Sequence, residues 1–175
     1  MVVSNLQPYT AGAEKVILLG SAGCGKTSLI QRFTSNAFSS DYLQSFGSEM
    51  YIKTATDHKK LSLNIWVLGG HVRYRTLLSQ FYSDAGVALL CFDVMNIASF
   101  QELSFWYNEV KRNCPDATIY LVGLKADEPE SLIVKIQDII KLTKDLGVEY
   151  KATSAKLGTG IEELFDVILA KVSNY

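Results

Sequence analysis

Eight consecutive residues, Gly20-Ser21-Ala22-Gly23-Cys24-Gly25-Lys26-Thr27, constrain this chain more than any other feature of its sequence. They fit the pattern G-x-x-x-x-G-K-[ST] and lie between an apolar run, Lys15 to Gly20, and a helix-period segment, Lys26 to about Thr34. At such a junction successive backbone N–H groups face one point at a helix N-terminus, where an anion is favoured. The glycines permit the curl, Lys26 reaches the outer phosphates of a nucleotide, and the Thr27 hydroxyl suits Mg²⁺. Ala22 to Ser28 are therefore candidate phosphate-binding residues. Cys24 is read as a position whose backbone matters, not as a redox thiol.

From Lys15 onward, apolar runs alternate with helix-period segments without a repeat or a composition break, which predicts one α/β domain over 14–175 behind an N-terminal extension, 1–13. Strands are expected at Lys15–Gly20, at Met50–Thr56 and Leu61–Leu68 as an antiparallel pair, and at Val87–Asp93, Thr118–Gly123 and Val148–Thr153. Ser99-Phe100-Gln101-Glu102 has capping-box spacing and should open a helix with Phe100, Leu103, Trp106, Tyr107 and Val110 on one face. A second helix is expected from Ser131 to Leu146, stopped by Gly147, and a last one behind Thr159-Gly160-Ile161-Glu162. Its stripe of Ile161, Leu164, Phe165, Ile168, Leu169 and Val172 reads as core. The long polar segment Ser35 to Glu49 is the irregular stretch that such a domain keeps for function.

Composition removes several function classes. At 175 residues the chain can bury roughly 70% of its unfolded surface, so neither disulfides nor a structural metal is required. Seventeen basic and 18 acidic side chains leave a net charge of −1, with no run of five like charges, which argues against nucleic acid or anionic lipid as the main partner. Three cysteines, an odd number, and no 18-residue apolar stretch point to a reducing, cytoplasmic setting. The final residues, Lys171 to Tyr175, offer no cysteine to a prenyl group, so no direct lipid anchor is expected in this chain.

The phosphate loop alone leaves ATPases, kinases and GTPases open; residues that read the base must decide. In Leu124-Lys125-Ala126-Asp127, the Asp127 carboxylate is placed to accept two hydrogen bonds from the N1–H and amino group of guanine, which adenine does not offer. The Lys125 stem would lie along the base. Thr153-Ser154-Ala155-Lys156 would supply a backbone N–H to the guanine oxygen.

With these motifs the sequence resembles the small GTPases of the Ras superfamily, most closely the Rab branch, from Lys15 to about Val172. The likeness also rests on Leu63-Asn64-Ile65-Trp66, Arg73-Tyr74-Arg75-Thr76, Phe81-Tyr82-Ser83-Asp84-Ala85, Leu90-Cys91-Phe92-Asp93-Val94 and Gly160-Ile161-Glu162-Glu163-Leu164-Phe165. It implies a three-layer P-loop NTPase fold, a six-stranded, mostly parallel mixed sheet with about five helices, and GTP/GDP with Mg²⁺ as ligands. It makes 35–49 and 70–84 two switch segments that meet effector and regulator proteins, and it matches Phe38 to the aromatic that packs on the base. It also implies recruitment to vesicle membranes, here through protein partners.

The departures matter equally. Where the family has Asp-Thr-Ala-Gly-Gln, this chain has Val67-Leu68-Gly69-Gly70-His71, which lacks the magnesium-side carboxylate and the water-orienting glutamine. Gly70, whose N–H would meet the γ-phosphate, remains. Ser45 matches the metal-binding threonine, and Leu124 replaces the asparagine that ties the base loop to the phosphate loop. Val67 otherwise reads as one more apolar strand position, and His71 as either a replacement water-positioner or an exposed loop histidine. Arg73 and Arg75 are expected in solvated ion pairs of the second switch. Three functions follow: a guanine-nucleotide switch with slow or absent hydrolysis, a pseudo-GTPase interaction module, or another phosphate-loop enzyme such as a nucleoside kinase. For the last, no lid insertion is visible.

Overall fold

The computed structural model describes residues 13–40, 47–54, 61–127, 130 and 132–172, with backbone alone at 72–74 and 76. Six strands, β1 (Glu14–Leu19), β2 (Ser48–Thr54), β3 (Ser62–Leu68), β4 (Val87–Asp93), β5 (Thr118–Leu124) and β6 (Glu149–Ala152), form one sheet in the order β2-β3-β1-β4-β5-β6. The β2–β3 pair is antiparallel, with Glu49 opposite Val67, and the other neighbours are parallel. The helices are α1 (Lys26–Ser35), α2 (Ile97–Gln101), α3 (Leu103–Asn113), α4 (Ile136–Leu146) and α5 (Ile161–Val172), and a 3-10 segment covers Val72–Phe81.

The near-continuous apolar runs of β1 and β4 sit in the middle of the sheet because both their faces are covered. Val16 and Leu18 point to one side, where Leu29 and Phe33 of α1 and Leu164, Phe165 and Ile168 of α5 close the core. Phe33 and Phe165 stack there with ring centroids 3.6 Å apart. Ile17 and Leu19 point to the other side, against Leu78 of the 3-10 segment, Leu103, Trp106 and Val110 of α3, and Ile139 of α4. The result is the expected three-layer α/β architecture.

Several boundaries differ from expectation. Ser99 does not cap a helix. The cap is Asn96, whose side-chain oxygen accepts the Ala98 and Ser99 N–H groups at 3.0 and 3.4 Å. Ser99 lies buried inside α2, and its hydroxyl oxygen accepts the Asp93 N–H at 3.0 Å, tying the helix to the end of β4. Helix α4 starts at Ile136 and not at Ser131, because the Ile133 and Val134 N–H groups both bond the Val94 carbonyl and hold that stretch against the sheet. Its end at Gly147, in the left-handed region, is as expected. Strand β2 begins at Ser48, earlier than Met50, because it pairs with the whole of β3.

Candidate functional site

The loop between β1 and α1 is glycine-rich for a visible reason. Gly20, Gly23 and Gly25 have φ of 144°, 74° and 111°, values that side-chain-bearing residues rarely adopt. Lys26 folds back over the loop, its ammonium donating to the Gly20 and Ser21 carbonyls at 2.8 and 2.9 Å. The Cys24 side chain is buried beneath the loop, its sulfur 3.8 Å from the Cys91 carbonyl and 3.8 Å from the Lys26 ammonium. Burial pushes the Cys91 thiol up, so the two sulfurs act as packing groups.

One cleft of about 490 Å³ runs from this loop to the ends of β5 and β6. Ala22, Gly23, Gly25, Lys26, Thr27 and Ser28 line one part of it. Lys125, Asp127, Ala155, Lys156 and Phe38 line another, and Val67 to Gly70 close it on the β3 side. Lys125, at φ 60°, turns its ammonium to the Asp93 carboxylate at 2.7 Å and to the Gly23 carbonyl at 3.1 Å, so it joins the base-side loop to the phosphate loop. Leu124 is buried beside this junction, its Cδ1 3.6 Å from where a Cβ at Gly25 would stand, and its hydrocarbon side chain contributes no hydrogen bond there. Asp127 is half-buried and accepts the hydroxyl of the fully buried Ser154. Three sequence-predicted residues are not on the cleft wall: Cys24 lies under the loop, Ser154 behind Asp127, and His71 beyond Gly70. Ser45 falls outside the described residues.

At the β3 end, Val67 continues the inward-facing row of Leu63 and Ile65 and is 2% exposed. Gly70 is pressed against the phosphate loop: a Cβ there would lie 2.1 Å from the Gly20 carbonyl oxygen and 2.4 Å from the Ala22 nitrogen, so no other residue fits. A magnesium ion would find the Thr27 hydroxyl on the wall but a hydrocarbon at position 67. Among the described residues, no group of three carboxylate, imidazole or thiol side chains is placed to hold a metal. At the phosphate end of the cleft the described residues offer magnesium the Thr27 hydroxyl and no carboxylate, so the rest of its shell would fall to nucleotide phosphates and water.

A family model described as the Ras family matches residues 15–174. The chain belongs to the Ras family. It is 36% identical over 159 residues to Ras-related protein Rab-26 of Bos taurus, a match covering 89% of this chain and 62% of that protein. It is 33% identical over 165 residues to Ras-related protein Rab-3D of Homo sapiens, covering 91% and 75%, and 31% identical over 160 residues to Ras-related protein RABD2c of Arabidopsis thaliana, covering 90% and 79%. The chain thus spans less than two thirds of the bovine relative and about three quarters of the other two.

Within this Rab-like domain the segment around Arg75 is tied down more firmly than its sequence suggests. Arg75 is not in a solvated ion pair. Its guanidinium lies over the rings of Phe105 and Trp106, at 4.6 and 4.8 Å from their centroids, and donates to Glu102 at 2.7 Å. The same carboxylate oxygen accepts the Ser21 hydroxyl of the phosphate loop at 2.7 Å. Burial alone would raise the Glu102 carboxyl, but the hydrogen bonds from Arg75 and Ser21 and the Arg75 charge outweigh it and hold it below its ordinary value. The side chain of Arg73 lies outside the description. Sequence reading missed Glu102, Asp93 and Arg32 as site residues. An acidic residue closing an apolar strand could have flagged Asp93, whereas Glu102 and Arg32 carry no local signal.

Proposed function

We propose that this Ras-family chain is a Rab-like guanine-nucleotide-binding switch that acts in vesicle traffic or related signalling and hydrolyses GTP slowly or not at all. The observation that carries the reading is the single cleft with a phosphate cradle at one end, Asp127 with Ala155 and Lys156 at the other, and buried Val67 where a carboxylate would be needed. Lys26 and the loop amides would hold the phosphates, Asp127 would read the guanine edge, and Phe38 and the Lys125 stem would cover the base. Magnesium supplies charge neutralisation at the phosphates when bound; Thr27 and Ser45 are the hydroxyls that would hold it. Position 67 adds no oxygen, and His71 is not among the residues that line the cleft, which supports slow turnover. The segments 35–49 and 70–84 would present the surfaces that effector and regulator proteins meet. Analysis of nucleotide retained by the purified protein, followed by single-turnover hydrolysis, tests the reading. Retained guanine nucleotide with turnover below a Ras-type rate is expected; a preparation that takes up no guanine nucleotide overturns it.

The second reading, a pseudo-GTPase held in one interaction-competent state, is favoured by the Arg75–Glu102–Ser21 chain, which fixes the second-switch segment through contacts that involve no nucleotide. Equal affinity of a partner for the GDP-loaded, GTP-loaded and empty forms would select it.

A further inference from the structure

The base-side loop lacks the side-chain tie that an asparagine at position 124 would make, yet three consecutive peptide planes in it are pinned. The Ser154 carbonyl accepts the Gly158 N–H at 2.8 Å. The next two carbonyls are taken by one residue of α1: Arg32 Nε donates to Ala155 O at 2.7 Å and Nη2 to Lys156 O at 3.0 Å. The rest of the guanidinium is anchored at the end of α1, where Nη1 donates to the Asn36 carbonyl and side-chain oxygens at 3.0 and 3.1 Å. Its planar face lies 6.0 Å from the Phe38 ring centroid. A planar, always-charged group with donors in a fixed fork can set two neighbouring carbonyls at once, which an ammonium cannot do.

In a trans peptide the N–H points opposite to the C=O of the same plane. Pinning the Ser154 and Ala155 carbonyls therefore also aims the Ala155 and Lys156 N–H groups, and both of those residues line the cleft beside Asp127. Two aimed N–H groups donate to an oxygen on a purine's six-position and repel an amino group there. Asp127 reads the opposite donors of the same base. We propose that Arg32 is a positioning residue for base selection: from behind the Ala155–Lys156 backbone it sets the Lys156 N–H, which recognises the six-oxygen of guanine beside the Ala155 N–H that the Ser154–Gly158 bond holds. The inference rests on the guanine-nucleotide reading above and assigns to α1 a part of base recognition that no residue in contact with the base performs.

The test compares two ligands, GDP and the 5′-diphosphate of 2-aminopurine riboside, which keeps the two-amino group but has neither the six-oxygen nor the N1–H; its weaker contact with Asp127 is the same in every variant and cancels when each ligand's loss is taken against the unaltered protein. Affinities are measured for the unaltered protein, Arg32→Lys and Arg32→Ala. Any loss through Phe38 or through general loosening of α1 falls on both ligands alike, so the readout is the ratio of the two losses. The expected result is a loss of tenfold or more for GDP with Arg32→Ala, against twofold or less for the 2-aminopurine nucleotide. Arg32→Lys, which keeps the charge and the fold, should fall between for GDP. Equal losses for the two ligands, or no loss for GDP in either variant, overturn the role of Arg32 while leaving guanine binding standing. Failure of the unaltered protein to bind GDP overturns both.

Discussion

Replacing Glu102 by alanine should release the second-switch segment from the phosphate loop and from α3. In the intact protein the Arg75–Glu102 contact is 2.7 Å long, with the two side chains 19% and 35% exposed, and Ser21 donates to the same carboxylate oxygen. A fully exposed pair would contribute about 0–1 kcal/mol, and a well-buried hydrogen bond to a charge about 1.5–3 kcal/mol. This partly screened pair belongs between them, at about 1–2 kcal/mol. For a domain of this size each kcal/mol moves the melting temperature by roughly 2–4 °C, so Glu102→Ala should lower it by roughly 2–8 °C. The optical report is built in. The sequence has two tryptophans, and both flank the segment: Trp66 sits 5.3 Å from Phe81, and Trp106 lies under Arg75. Emission should shift on the substitution, and the difference between GDP-loaded and GTP-analogue-loaded protein should be larger after it than before. The pH dependence has a definite sign. Because the Glu102 carboxyl is held below its ordinary value of about 4.3, its contribution is complete above that pH and is lost as pH falls through the lowered folded value, so nothing changes between pH 7 and 5. A melting temperature within 1 °C of the unaltered protein, together with unchanged tryptophan emission, would refute the reasoning.

Three further outcomes are expected. Asp127→Asn should weaken guanine nucleotides by about 2–4 kcal/mol and favour xanthine nucleotides, because two hydrogen bonds to a carboxylate are at stake; ATP competing within tenfold of GTP in the unaltered protein would contradict the assignment. A chelator should speed nucleotide release only modestly, and Val67→Asp, at a position that lines the cleft, should enlarge the effect by roughly 10 to 100-fold in metal affinity, read from release rates with and without chelator. Single-turnover hydrolysis should run below the unaided Ras-type rate of about 3–5 × 10⁻⁴ per second. His71→Gln together with Val67→Asp should recover more than the two changes taken singly, since water and metal serve one transition state; an ordinary Ras-type rate in the unaltered chain would mean that groups other than these do the work.

The frame of the molecule is written in local sequence. Apolar runs at Val16–Leu19, Leu89–Phe92 and Ile119–Val122 can only be central strands, because charge-free runs of that length need cover on both faces, and the structure gives them that cover. The glycine spacing from Gly20 to Gly25 encodes a loop of positive φ, and the structure has it. Helix starts were harder to read because caps depend on where the chain leaves the sheet. Asn96 outcompetes Ser99 since Asp93, at the end of β4, engages the serine. The 133–134 stretch stays non-helical because the Val94 carbonyl takes its N–H groups.

Sequence by itself determined the phosphate cradle, the order of strands and helices along the chain, and the replacement of a carboxylate by Val67, since each depends on residue type at close spacing. Tertiary structure alone decided the partners across long separations. Arg32 meets Ala155 and Lys156 from 123 and 124 residues away, Lys125 meets Asp93 from 32 and Gly23 from 102, and Glu102 meets Ser21 from 81. A charged side chain on a helix reads the same whether it faces water or a carbonyl brought to it by the sheet. Its meaning is set by the sheet order β3-β1-β4-β5-β6, which places the segments that follow β1, β5 and β6 and the end of β3 around one cleft.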